Sequence, residues 1–271
     1  MLNTIRDLLK NEGIELFAPL PLKECVISKK YLLDKCGIIS GTVVMIAIPY
    51  LSRGYDKKNI SSYAVPKDYH MFFSELRERM CIKLSSLYPE NKFEMFSDHS
   101  PIDERHAAAI AGLGVIGKNQ MLITERYSSY VFIGELITDA ELECTSVKEA
   151  PDHCIGCGKC IEACPMTQKG IACLSAITQK KGELDDTEKD AILTYGSAWG
   201  CDICQEVCPY TQKALKNGTI YTDIPYFNED LTPILTESFV ENMSDDEFSA
   251  RAYSWRKKET VIRNLNLLGY K

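Results

Sequence analysis

The chain opens on helix periodicity. Leu2, Ile5, Leu8 and Leu9 recur at helical spacing, and Gly13 ends the element. Pro19 and Pro21 predict an irregular segment next, and Ile27 to Cys36 a second helix stopped by Gly37. From Gly41 to Pro49 the run is apolar without alternation, the pattern of a strand covered on both faces. Residues 51–66 are polar and predict a loop. Between Tyr69 and Leu87, Phe72, Phe73, Leu76, Met80 and Leu84 mark one face of a long helix, with Lys83 out of pattern. Short strands are expected at Phe93 to Phe96, Met121 to Ile123 and Val131 to Thr138, and a helix from Glu104 to Ala111.

After Thr138 the pattern dissolves into a polar stretch. From Cys154 onward cysteine, glycine and short helical pieces dominate, which places a change of domain near 145–153. The division expected is an α/β (α+β) domain over 1–148, a ferredoxin-like module over 149–215 and a helical tail over 216–271, with a loop around Pro225 and Pro233. The net charge of −7 argues against sequence-blind binding of nucleic acid over the whole surface. No leader-like start and no apolar run of spanning length is present, so a cytoplasmic protein with reduced thiols and no membrane contact is expected.

Twelve cysteines in a reducing compartment need a reason other than disulfides. Residues 154–165 read C-x2-C-x2-C-x3-C-P, with cysteines at 154, 157, 160 and 164. This is the run that wraps one cubane with three thiolates and sends the fourth to a neighbouring cluster. Residues 201–209 read C-x2-C-x3-C-P, the same motif without its first cysteine, and Cys173 is available to replace it. The exchange rule gives Cys154, Cys157, Cys160 and Cys208 to one [4Fe–4S] cluster, and Cys164, Cys173, Cys201 and Cys204 to the other. Zinc would use two separated Cys-x2-Cys pairs per site, which this run does not supply. Gly156 and Gly158 let the backbone pass close to the sulfides. Cys81 reads as a small core residue, and neither Cys144 nor His153 is expected to ligate.

Several stretches together resemble one family. These are Val43 to Tyr50, Tyr63-Ala64, Asp68-Tyr69-His70, Glu104-Arg105 with Gly112-Leu-Gly114 and Gly117-Lys-Asn119, Phe132 to Thr138, Cys173-Leu-Ser175, and Gly200-Cys-Asp202 running to Pro209. Over roughly residues 40–215 the chain is similar to the epoxyqueuosine reductases, cobalamin-dependent iron–sulfur enzymes that complete a modified base of tRNA and resemble the reductive dehalogenases. The resemblance implies a first domain of cobalamin-binding type and removal of an epoxide oxygen as water with two electrons. A carboxylic acid then supplies a proton. The position matching that acid is Glu104, where some relatives carry Asp, with Asp98 and Asp103 as alternatives; the plain reading of Glu104 is a helix cap or a partner for lysine.

Gly112, Gly114 and Gly117 have dinucleotide-fingerprint spacing but follow a helix, so nicotinamide is not expected. They are read as a close approach of backbone to the flat corrin, with Lys118 and Asn119 adding polar contacts; the alternative is a packing corner. His70 and His106 are candidate neighbours of the cofactor. A low-potential donor such as a flavodoxin or ferredoxin is the implied partner, with tRNA a further one. Arg251, Arg256, Lys257, Lys258, Arg263 and Lys271 surround Tyr253 and Trp255 near the end of the sequence. They predict a terminal amphipathic helix with a solvated basic face, or a surface that meets phosphate and stacks a base. Two other functions fit the cysteines: an electron carrier with a docking first domain, and a reductive activator of a corrinoid protein. An acid at 104 favours catalysis over both.

Overall fold

The computed structural model describes residues 1–144, 154–164, 166–167, 170 and 172–271. The expected change of domain near 145–153, with His153, and the motif proline at 165 lie outside them. The chain forms two compact units, one of residues 1–49 and 70–156, the other of 50–69 and 157–271.

The first unit is α+β. Its secondary structure runs α1 (Leu2–Asn11), β1 (Leu16–Pro21), α2 (Lys30–Cys36), β2 (Thr42–Pro49), α3 (Tyr69–Leu87), β3 (Phe93–Phe96), α4 (Glu104–Ile110), β4 (Val115–Ile116), β5 (Leu122–Ile123) and β6 (Val131–Thr138). Four strands make one sheet in the order β1-β2-β6-β3, every pair antiparallel. Every residue of β2 is buried, as its unbroken apolar run predicts for a central strand covered on both faces.

Two local expectations are corrected. The segment with Pro19 and Pro21 is not irregular but is strand β1. Among the described residues it lies at the sheet edge and pairs only with β2, so prolines without an N–H interrupt no ladder on the open side. Helix α2 starts at Lys30 rather than Ile27. Ile27 forms a β-bridge to Ile102, and the N–H groups of Ser28 and Lys29 both donate to Pro101 O. That tie holds residues 27–29 beside the loop that enters α4.

Both faces of β6 are used. At Gly134 an added Cβ would lie 2.3 Å from the Phe73 ring, so only glycine lets α3 lie this close. The adjacent residue, Glu135, points to the opposite face by strand alternation. That face is the apolar layer of Val43, Met45, Ile137 and the α4 residues Ala107, Ala108 and Ile110.

In the second unit, residues 50–69 are knitted into the C-terminal half. Ser61 N donates to Trp199 O, Ala198 N to Asn59 O, and the Asn59 side chain bonds both ways with Leu235. A core of Ile60, Val65, Trp199, Leu235, Tyr253, Val261 and Leu265 results. The buried Asn264 donates to Thr178 O at 2.7 Å and Ala198 O at 2.8 Å. Asn264→Ala would orphan both carbonyls, and we expect a loss of about 2–4 kcal/mol, read as a lower midpoint in urea with unchanged slope.

Candidate active site

The Asp98–Glu104 loop gathers the carboxyls. Asp98 sits in the left-handed region at φ 62°. Its backbone N–H donates to Glu104 Oε1 at 3.0 Å, and its carboxylate stands 3.5 Å from His70 Nε2. The hydrogen bond to His70 holds Asp98 below the ordinary carboxylate range, so it stays ionised at neutral pH and is a poor proton donor. Asp103 is the N-cap of α4 and accepts from His106 N at 3.1 Å.

Glu104 behaves differently. It occupies the first turn of α4, half-buried. Loss of solvent raises its carboxyl from 4.5 to about 7, against hydrogen bonds from the Asp98 backbone and Glu135 that lower it. Where Asp98 is held ionised, Glu104 is the acid that keeps its proton toward neutrality. It is neither the helix cap nor part of an ion pair with lysine among the described residues. Lys29 stands near enough to act on its charge; Lys29 Nζ lies 3.3 Å from His99 Nδ1, and Tyr31 OH 2.9 Å from His99 Nε2. The solvent side of the acid is therefore rimmed by Lys29, His70 and His99.

Glu135 faces Glu104 from β6, wholly buried. Burial and then the Glu104 charge push its carboxyl far above the usual range. Sequence reasoning quoted the strand around Glu135 and passed over the residue itself. The signal was there: one acidic residue inside Val131–Thr138, otherwise apolar but for the closing threonine and a glycine.

The glycine corner after α4 is largely self-packed. Gly112 has φ 89° and its backbone is exposed. A Cβ on Gly114 would lie 2.4 Å from Ile123 O, so that glycine lets β4 lie against β5. Gly117 is buried against Asn119 and Ile123. Gly114 and Gly117 thus meet the packing alternative, and Gly112 alone turns backbone outward. Asn119 Oδ1 accepts from Met121 N within that turn. Lys118 Nζ donates to Gly156 O at 3.0 Å, reaching the first cysteine motif. His106 is exposed on α4.

In the second unit Cys173 and Cys204 stand close enough to Cys201 to act on its thiol, which burial raises to about 12. Cys164 borders the same apolar cluster as Cys201. Burial raises the Cys164 thiol, but the Thr167 hydroxyl and the N–H groups of Thr167 and Met166 lower it on balance. Those donors suit a thiolate on a cluster. The helix Lys159–Glu162, carrying Cys160, packs on Ile203–Glu206, carrying Cys204. Cys208 is buried and caps the helix Pro209–Lys216. Gly156 and Gly158 have φ 70° and 79°, the turns that only glycine makes without strain beside Cys154 and Cys157. The cysteine spacing and these turns suit two iron–sulfur clusters, while among the described residues no three of the thiols are drawn close enough together to grip a single ion. Cys81 is partly buried, with its thiol raised to about 11 by burial, and Cys144 Sγ points to Leu142 O.

The basic end is not a free face. Its helix covers only Lys258–Leu268. Arg251 donates to Asp230 O at 2.6 Å, Arg256 to Gln179 O at 2.9 Å, Arg263 to Lys180 O at 2.9 Å, and Lys258 to Met243 O at 2.5 Å. Spent on carbonyls, these four cations fasten the tail, and Lys257 and Lys271 stand exposed. Trp255 remains exposed, with the Arg256 guanidinium stacked 3.6 Å from its ring centre.

Residues 153–211 match the 4Fe-4S double cluster binding domain. The epoxyqueuosine reductase of Bacillus subtilis is 30% identical over 261 residues, which is 88% of this chain and 64% of that protein. That of Bacillus cereus is 29% identical over 246 residues, 82% of this chain and 62% of that one. A crystal structure of selenomethionine-labelled epoxyqueuosine reductase superposes with a TM-score of 0.78 at 24% identity, covering 98% of this chain and 80% of that one. This chain is related to the epoxyqueuosine reductases. The same fold, at TM-score 0.77 and 24% identity, is seen in an epoxyqueuosine reductase with a tRNA-Tyr epoxyqueuosine-modified stem loop, with 98% of this chain and 80% of that one covered. A catabolic reductive dehalogenase shares it more distantly, at TM-score 0.51 and 15% identity, over 82% of this chain and 34% of that one. The first curated relatives are matched over 40%, 62% and 36% of their own length, less than two thirds in each case. No helix among the described residues is long and apolar enough to cross a membrane.

Proposed function

We propose that this chain is an iron–sulfur reductase of the epoxyqueuosine reductase type, removing an epoxide oxygen from a modified tRNA base as water. The observation that carries the reading is Glu104, an acid held protonated to about pH 7 in a chain that also bears a double-cluster domain. An electron carrier has no use for such an acid. Cys154, Cys157, Cys160 and Cys208 hold one cluster and Cys164, Cys173, Cys201 and Cys204 the other, delivering single electrons from a flavodoxin or ferredoxin.

Cobalamin is the cofactor this reading adds. When bound it supplies a strongly reducing, nucleophilic cobalt that collects those electrons. The outward backbone at Gly112, the polar ends of Lys118 and Asn119, and the rings of His70 and His106 are the groups offered to hold it. The chain's own part is to aim Glu104 at the leaving oxygen and keep it protonated. Asp98 fixes the Glu104 carboxyl through its backbone N–H, and its own negative charge keeps His70 close. Lys29, His70 and His99 suit an approaching phosphodiester.

The test is oxygen-free purification with added cobalamin, followed by assay on precursor tRNA carrying the epoxide. A retained corrin spectrum and conversion of the base are expected. Clusters present with no corrin and no conversion would return the chain to the carrier reading.

A further inference from the structure

The mechanism above leaves one buried carboxyl without a task. Glu135 is paired in the sheet with Met45 on one side and Phe96 on the other, and has zero exposure. Its Oε1 accepts from Ser100 Oγ, which in turn accepts from Ile102 N at 3.0 Å. Its Oε2 has no donor among the described residues. The group it does meet is the carboxyl of Glu104, within hydrogen-bond contact. Two carboxylates have only acceptors to offer each other. The contact is bonding only if a proton lies in it, and an ionised Glu135 with one hydroxyl donor in an apolar layer would be too costly to persist.

The charges around the pair are unequal. Asp98, Lys29 and the His70–His99 rim act on the Glu104 side. On the Glu135 side stand Ser100, the Cys25 thiol and the alanines of α4, with no cation among the groups that act on it. The proton is therefore retained at the buried end and exchanged with solvent at the other.

We infer that Glu135 is a proton reservoir for the active site: a protonated carboxyl behind Glu104 that refills Glu104 after it has given its own proton away. This rests on the epoxide-reductase reading. Taking an epoxide oxygen away as water breaks two C–O bonds, forms one C=C bond and two O–H bonds, and consumes two electrons and two protons. The electrons come one from each reduced cluster, both ending oxidised. Glu104 gives the first proton as the ring opens. The Glu135 proton then crosses the shared hydrogen bond to Glu104, which gives it up as water leaves. The doubly ionised pair is transient: its strain draws a proton from solvent through the outer edge of Glu104 at once, and the buried end is reprotonated first. Glu135 does not touch the substrate; it is a positioning residue that acts through Glu104.

The test is infrared titration of the full chain with its clusters, in H2O and D2O, alongside the pH profile of turnover. Wild type should show two protonated-carboxyl bands, one lost near neutral pH and one persisting into alkali. Glu135→Gln should remove the persisting band alone, keep cluster content and KM, and lower kcat by about tenfold or more. Ser100→Ala, which leaves Glu135 in place, should shift the frequency of that band. A persisting band that survives Glu135→Gln, a Ser100→Ala band at the wild-type frequency, or full turnover by Glu135→Gln would overturn the inference. Wild-type bands as expected in a protein that reduces no epoxide would instead sink the function proposed above and leave the protonated pair standing.

Discussion

Glu104→Gln is expected to lower turnover by about 10²–10⁴-fold, the range a positioned general acid contributes, with iron and sulfide unchanged. The amide keeps the size and the hydrogen bond from Asp98 N but cannot give up a proton. The same substitution has a thermodynamic signature of definite sign. The folded carboxyl is raised from 4.5 to about 7, so the native state binds this proton more tightly than the unfolded chain. The associated stability is full below pH 4.5 and is lost as pH rises through 7, amounting to about 3 kcal/mol at most. Glu135, shifted the same way, adds to the alkaline loss. Glu104→Gln removes its own share, so the variant should melt higher than wild type at pH 8 and show a flatter pH dependence. Wild-type turnover should fall above about pH 7 as the acid ionises. A variant that turns over at the wild-type rate, or melts lower at pH 8, would remove Glu104 from the role of acid.

The second large effect concerns Cys173, the ligand supplied from outside the second motif. Cys173→Ser is expected to reduce iron and acid-labile sulfide from about eight atoms each per chain to about four, with the signal of one reduced cluster lost. Cys144→Ser, next to the first motif in sequence, should keep all eight. Cluster binding contributes folding free energy wherever the site is unformed in the unfolded chain. The Cys173 variant should therefore also unfold at lower denaturant, through the cluster of Leu174, Ile177 and Ile192 beside Cys164 and Cys201. Full iron content in Cys173→Ser would show that another group completes the second site.

Much of this was legible in the amino-acid order because it depends on local spacing. Two residues between thiolates fix three corners of a cubane, and the second motif's missing member points to Cys173. The unbroken apolar run of β2 and the one-sided pattern of α3 were readable for the same reason. The proline strand was not: Pro19 and Pro21 are strand breakers unless the strand has an open edge, and edge position is set by the order of strands. The start of α2 was lost to a bridge between residues far apart in sequence, Ile27 and Ile102.

The acids show the division most sharply. The chain order by itself put Glu104 ahead of Asp98 and Asp103 only through a family resemblance, whereas the cysteine spacing pointed to the iron–sulfur module directly. Tertiary structure gives the three different surroundings: Asp98 has a histidine beside it, Asp103 a helix to cap, and Glu104 a half-buried place that raises its proton affinity. It also set Glu135 behind Glu104, a neighbour 31 positions away that no spacing rule names. Proton affinity follows from surroundings, and surroundings are assembled from strands and loops distant in sequence, whereas thiolate spacing around a cluster is written within one turn of chain.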